Sequence, residues 1–296
     1  MQVAKRVYSL AEEQNDSALM IGAYRALAVT LCYLGDFETA RRNAIRGVEI
    51  WRSEGMRSRV EEVMAPAVVC LGFEALSEWY LGEISSCHTT IAEAISLAKE
   101  LNDMTALAIA LYLGGILAHF DRNPAEVERC ASNMIELSTR LNFPFWLAMG
   151  TVYRGWARSA SGDTAEGISW IVQGIEDYRA TGSITDLSYF LALKAESLYL
   201  ADRASEALEA IKEAEALAAR IEIGCWYAEL HRLRGVFLTA IGADEAQIEA
   251  SFCAAIKTAK EQKSVSLAAR AEASYAEYCR QKTSASGGHN FRLPLC

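Results

Sequence analysis

Ala26-Leu27-Ala28-Val29-Thr30-Leu31-Cys32-Tyr33-Leu34-Gly35-Asp36-Phe37 is an apolar helical stretch that runs into a Gly-Asp break, and a second helical pattern begins behind it. The break returns at Leu81-Gly82-Glu83, Phe120-Asp121-Arg122, Ser161-Gly162-Asp163, Ala201-Asp202-Arg203 and Ile241-Gly242-Ala243. A fixed period of about forty residues marks stacked helix pairs, none of which buries its own apolar face alone. The spacing predicts an all-α chain: a right-handed superhelical solenoid of antiparallel helix pairs. It holds about six pairs over residues 1–282, with a half repeat at 1–16, a last helix at 265–282 and a flexible tail at 283–296.

The repeat has an internal register. Seven residues before the markers Gly35, Gly82, Asp121, Gly162, Asp202 and Gly242 stand Ala28, Ala75, Gly114, Gly155, Ala195 and Gly235. All are Ala or Gly, although glycine costs a helix roughly 1 kcal/mol relative to alanine. Small residues at one fixed place point to helices crossing closely within each unit. Twelve residues after the markers stand Gly47, Ala94, Asn133, Gly174, Ala214 and Ala254, small in all but one case.

Ser9-Leu10-Ala11-Glu12-Glu13-Gln14-Asn15-Asp16 matches Ser96-Leu97-Ala98-Lys99-Glu100-Leu101-Asn102-Asp103, the end of a second helix. Residues 1–16 therefore read as half a repeat. The expectation is that this chain is the C-terminal part of a longer protein; the alternative is an ordinary terminal helix. An open apolar face on that helix could also pair two copies of the chain. The tail, with Phe291, Leu293 and Leu295 around Pro294, folds back or stays loose.

Composition narrows the function. With 52% hydrophobic residues, four prolines and a net charge of −9, the chain suits a buried helical core. It lacks the basic footprint of a protein that tracks nucleic-acid phosphates, so no direct nucleic-acid partner is expected. Eight scattered cysteines without a CxxC pair read as buried free thiols. Met104 to Phe120 is uncharged but short for a membrane span and sits in repeat register, so it reads as a buried helix. No membrane partner and a cytoplasmic location are expected.

The period, the Ala/Gly register and Leu34-Gly35-Asp36-Phe37 followed by Ala40 resemble tetratricopeptide repeats, although the unit is longer than their roughly 34 residues. The closing-turn proline of that family appears only as Pro66 and Pro144. Leu10 to Asp16, Ala26 to Phe37, Ala228 to Gly235 and Lys263 to Arg270 together resemble C-terminal arrays of large bacterial regulators. Those regulators join a cyclase-type or winged-helix DNA-binding domain to a signalling ATPase. The resemblance implies a regulatory module that senses a partner or ligand, with any catalysis in upstream domains.

Motifs for chemistry do not accumulate. There is no GxxxxGK[ST], no HExxH and no GxSxG, and His88, His119, His231 and His289 lie far apart in sequence. No cofactor, metal site or enzymatic activity is expected. Glu74 and Glu78 share a helix face and read as a solvated pair.

First helices in such arrays line the concave surface, which nominates Arg25, Glu74, Trp79, Tyr153, Arg154 and Tyr189. Lys194, Glu196, Glu229 and Arg232 complete the helical set, with Trp146 in an aromatic turn matched by Cys225-Trp226-Tyr227. Aromatics and arginine dominate binding hot spots; Trp146 and Trp226 could equally staple neighbouring repeats. Arg154, Lys194 and Arg232 read as groove cations, because an interior charge needs a partner. The leading reading is a non-catalytic module that binds a protein or peptide segment, possibly an upstream domain of the same polypeptide. The alternatives are a small-molecule sensor controlling an upstream ATPase or transcriptional domain, and an enzyme on an all-α scaffold.

Overall fold

The computed structural model describes residues 1–14, 16–54, 65–284 and 293–295. Its first helices are α1 (Gln2–Gln14), α2 (Ser17–Leu34), α3 (Phe37–Glu54), α4 (Pro66–Leu81), α5 (Ile84–Glu100), α6 (Met104–Phe120) and α7 (Pro124–Leu141). They are followed by α8 (Pro144–Ala160), α9 (Thr164–Ala180), α10 (Leu187–Leu200), α11 (Ala204–Arg220), α12 (Tyr227–Ala240), α13 (Glu245–Glu261) and α14 (Val265–Ser284). Among the described residues there is no strand, and the fold is an α-solenoid.

One backbone conformation sets the spacing. Gly35, Gly82, Asn102, Arg122, Asn142, Gly162, Gly182, Asp202, Glu222, Gly242 and Lys263 all have positive φ, one in each of these turns. From Gly82 to Gly242 they recur every twenty residues, so the forty-residue period is two equal half-beats. The left-handed residue lets the chain turn back on the finished helix and satisfy its last carbonyls. Gly35 N–H donates to Cys32 O at 3.0 Å and Asp36 N–H to Leu31 O at 3.0 Å. The residue after the turn often caps the next helix: Asp36 accepts from Thr39 N–H at 3.2 Å, and Asp163 from Glu166 N–H at 3.3 Å. The Gly-Asp pair is thus a helix stop followed by a helix start.

This geometry corrects the register at two places. In the third pair the left-handed residue is Arg122 (φ 55°), not Asp121. Counting from Arg122 puts buried Met134 where Asn133, an exposed residue, was expected. In the sixth pair the turn is one residue longer, so Ala255 is buried and Ala254 is not. Elsewhere the small residues sit at crossings. A Cβ on Gly155 would lie 2.6 Å from Gly167 O and from the Ile171 side chain, so α8 and α9 touch backbone to backbone. A Cβ on Gly235 of α12 would lie 2.8 Å from the Phe252 ring of α13, so there the glycine makes room for a side chain.

The chain divides into two compact units, Met1–Leu117 and Ala118–Cys296. In the first, α2 packs on α1, α3 and α4, and α4 on α3 and α5. Helix α1 buries Ala4 and Ala11 and sets Tyr8 edge-on to Tyr24, with ring centroids 5.5 Å apart. Its Val3, Val7 and Leu10 remain exposed. Helix α2 is, among the described residues, the one long and apolar enough to cross a membrane. One third of it is buried, through residues such as Ile21, Ala23, Ala28 and Leu31 that pack on its neighbours. Met104–Phe120 is a helix whose residues from Ala110 onward are all buried.

In the second unit each first helix pairs with its own second helix, and α8, α10, α12 and α14 touch one another in sequence. These first helices form a continuous inner layer. Thr283 and Ser284 extend α14 beyond the expected 282. The expected flexible tail falls partly on residues 285–292 and 296, which lie outside the described residues. Leu293 and Leu295, however, are buried against the inner layer, so at those positions the tail is docked.

Glu222 holds the left-handed conformation with φ 57° and its side chain in solvent. An L-residue with a Cβ pays roughly 1 kcal/mol there that glycine does not. Glu222→Gly should therefore raise unfolding stability by about 1 kcal/mol in urea titration; a loss of stability would contradict the turn assignment.

Candidate functional site

The inner layer of the second unit gathers charge where a helix bundle normally has none. Glu196 of α10 is 1% exposed. Its Oε2 accepts from Arg122 Nη1 at 2.6 Å, Trp156 Nε1 at 2.9 Å and His119 Nε2 at 3.3 Å. Since the carboxylate only accepts, His119 carries its proton on Nε2, and Nδ1 takes the Tyr189 hydroxyl proton at 3.1 Å. One turn into α12, Glu229 is gripped by Arg232 through two bonds of 2.7 and 2.9 Å. Arg122 at 3.5 Å and Arg270 of α14 at 3.8 Å approach the same carboxylate.

Burial pushes the Glu196 carboxyl up, but Arg122 and His119 outweigh it and hold it well below the usual range. Glu229 is likewise raised by burial and then brought down to about 2 by Arg232, Arg270 and Arg122. Burial lowers the His119 imidazole despite the pull of Glu196, which keeps it neutral. Burial also lowers Arg270, to about 10, against the support of Glu229. Aromatic rings wall the charges: Tyr189 stacks on Trp226 at 4.6 Å, and Trp156 meets His119 edge-on at 4.6 Å. Arg270 lies 5.7 Å from the Phe120 ring centroid.

Arg232, 1% exposed, also reaches outward. Its Nη1 donates to Ser274 Oγ at 3.0 Å and its Nη2 to the Leu295 carbonyl at 3.1 Å. From α10 the Tyr199 hydroxyl donates to the Leu293 carbonyl at 2.7 Å. The docked tail is thus held by its backbone, through donors on α10 and α12.

Of the residues nominated from sequence, Tyr153, Tyr189, Glu196, Glu229 and Arg232 meet in this cluster. The three groove cations do not stay together. Arg154 lies on the side of α8 toward α7, bonded to Glu128 at 3.2 Å and Ser132 at 3.0 Å, with Trp170 5.9 Å away. Lys194 is two positions from Glu196, about 200° around α10, and acts on Glu206 of α11. Arg232 is in the inner layer but buried and paired rather than open to a groove. Trp146 packs edge-on to Phe145 at 4.8 Å, outside the cluster. Sequence reasoning missed Arg122, Trp156, Tyr199 and Arg270, and it considered His119 only as a metal ligand.

Arg25, Glu74 and Trp79 belong to the first unit. Trp79 is buried edge-on to Tyr80, and Arg25 is half-buried on α2. Glu74 and Glu78 are not a solvated pair: Glu78 is 3% exposed, accepting from Thr90 Oγ1 at 2.8 Å with Arg41 at 3.5 Å. Burial, then the neighbouring Glu78, push the Glu74 carboxyl up to about 7.

The fold and site define a helical-repeat array with a charged inner layer. No family model matches the sequence. The chain is 25% identical over 221 residues to an uncharacterized protein of Rhizobium meliloti (strain 1021), a match covering 74% of this chain and 22% of that protein. It spans, then, about a fifth of the length of that relative. Among solved structures it is similar to Bacillus thuringiensis PlcR in complex with the peptide PapR7 and DNA, at a TM-score of 0.40 and 14% identity. That match covers 90% of this chain and 74% of PlcR, and likeness at that level carries no functional argument.

Removing the Glu229 charge leaves Arg232 buried without its partner. Glu229→Gln should cost about 3 kcal/mol at pH 7. The native carboxyl, at about 2, is depressed from its unfolded value, so its contribution is present above pH 4 and is lost as pH falls toward 2. The mutant and wild-type urea midpoints should accordingly converge on acidification, and a constant gap would be wrong. Glu74 carries the opposite sign. Its folded value, about 7, lies above the unfolded one, so it weakens the fold as pH rises from 4 to 7. Glu74→Gln should stabilise by about 2 kcal/mol at pH 8 and by nothing at pH 4, read from denaturation at both values.

Proposed function

We propose that this chain is a non-catalytic interaction and regulatory module that binds a protein segment along the inner layer of its second unit. The observation that carries this reading is the docked tail: Tyr199 and Arg232 donate to two backbone carbonyls of a segment with no helical structure of its own. Side chains that hold a passing backbone by its carbonyls suit a polypeptide ligand. The titratable groups support a non-catalytic role, because Glu196 and Glu229 are held ionised by arginines and His119 is kept neutral. The aromatic rings that a small-molecule sensor would use are packed on one another, Tyr189 stacked on Trp226 and Trp156 edge-on to His119, which favours the protein-segment reading over the sensor.

The array fits the role of a sensor or scaffold part of a larger cyclase- or ATPase-linked signalling protein. The matched region makes up only 22% of the R. meliloti relative, so there it is one portion of a much longer chain. The partner is either an upstream domain of the same polypeptide or a separate protein.

A photo-crosslinking residue at Ala273, exposed on α14 beside Ser274, should capture a polypeptide from host lysate. The same residue at Glu209, on the exposed face of α11, should not. Equal capture at both positions would sink the assignment of the inner layer.

A further inference from the structure

Leu293-Pro294-Leu295 shows what the inner layer accepts. Leu293 is 1% and Leu295 9% exposed, while Pro294 between them faces solvent. In–out–in burial is the period-two alternation of an extended chain. Proline fixes its own φ and biases Leu293 toward extended conformations, so the sequence favours this shape before it docks. Both bonds run from helix side chains to carbonyls of the segment, from Tyr199 to Leu293 and from Arg232 to Leu295. Neither needs an N–H from the segment, so proline, which has none, fits at the centre without leaving a donor unmet.

On that reading of the module, we propose that the tail is an internal competitor. The site takes an extended partner segment with aliphatic side chains on either side of a proline, and Leu293-Pro294-Leu295 occupies it until such a segment displaces it. Eight residues separate Ser284 from Leu293. A tether that short holds the tail at an effective concentration on the order of millimolar, so a free ligand making the same contacts is outcompeted unless the tail is weakened. Affinity for partners is thus set by the tail as well as by the site.

The test is a fluorescence-anisotropy titration of the full chain with a labelled synthetic peptide, Asn-Phe-Arg-Leu-Pro-Leu, the sequence of residues 290–295. Leu293→Asp with Leu295→Asp in the protein should bind the peptide about tenfold or more tightly than wild type. The milder Leu295→Ala should fall between the two, and it serves if the double variant does not fold. Tyr199→Phe added to the freed background should weaken binding about fivefold, the loss of one hydrogen bond. Equal affinity for wild type and the tail variants, or no binding by any folded variant, overturns the proposal. The Ala273 crosslink separates the two failures: a flat affinity series with crosslinking retained ends only the competitor, whereas loss of both ends the module reading as well.

Discussion

A single left-handed residue, present in eleven of the turns among the described residues, governs this molecule. In those turns it ends the helix, satisfies its last carbonyls, and lets the next helix start a few residues on. Turns that recur every twenty residues from Gly82 to Gly242 bring corresponding positions of successive helix pairs into contact. That is why Gly155 can sit against the backbone of Gly167, and why Gly235 takes the Phe252 ring. Only some of the eleven turn residues are glycine, so the array pays backbone strain at Arg122, Glu222 and Lys263 to keep its spacing.

That spacing also lines first helices side by side, and the charge network exploits it. His119 and Arg122 come from the end of α6 and the turn behind it, Glu196 from α10, Glu229 and Arg232 from α12, and Arg270 from α14. A hydrophobic layer of the same volume would often be as stable or more so. A layer of paired charges, by contrast, fits in only one register, because a one-turn slip would strand a buried guanidinium. The network fixes which surfaces meet, and it also places guanidinium donors at the inner surface where the tail lies.

Much of the fold was legible in the sequence, since Gly35, Gly82, Gly162, Asp202 and Gly242 mark five of the eleven left-handed turns directly. Five others, at Asn102, Asn142, Gly182, Glu222 and Lys263, were not, because they fall between the forty-residue markers and four of them are not glycine, so only their conformation is unusual. The misplaced Asp121 marker has the same cause: a non-glycine residue gave no sign of which neighbour turns left-handed. The site was legible in part. Glu196 occupies a register position held elsewhere by Val29, Leu76, Ile116, Trp156 and Val236, and Glu229 one held by Gly22, Val69, Ile109, Met149 and Tyr189. Carboxylates in apolar positions signal burial with partners. Those partners were hidden, because Arg122 and Arg270 lie 74 residues before and after Glu196 in the chain. Helix phase alone would have separated Lys194 from Glu196, had side been weighed along with helix membership.

Arg232 links the inner network to whatever lies upon it. Its donors are divided between Glu229, Ser274 and the Leu295 carbonyl, and the guanidinium is almost wholly enclosed. A departing occupant takes an acceptor away from a charged group that has little else to turn to. Left bare, that surface would strand one donor of a buried cation, so on the proposed reading an occupied site is favoured over an empty one.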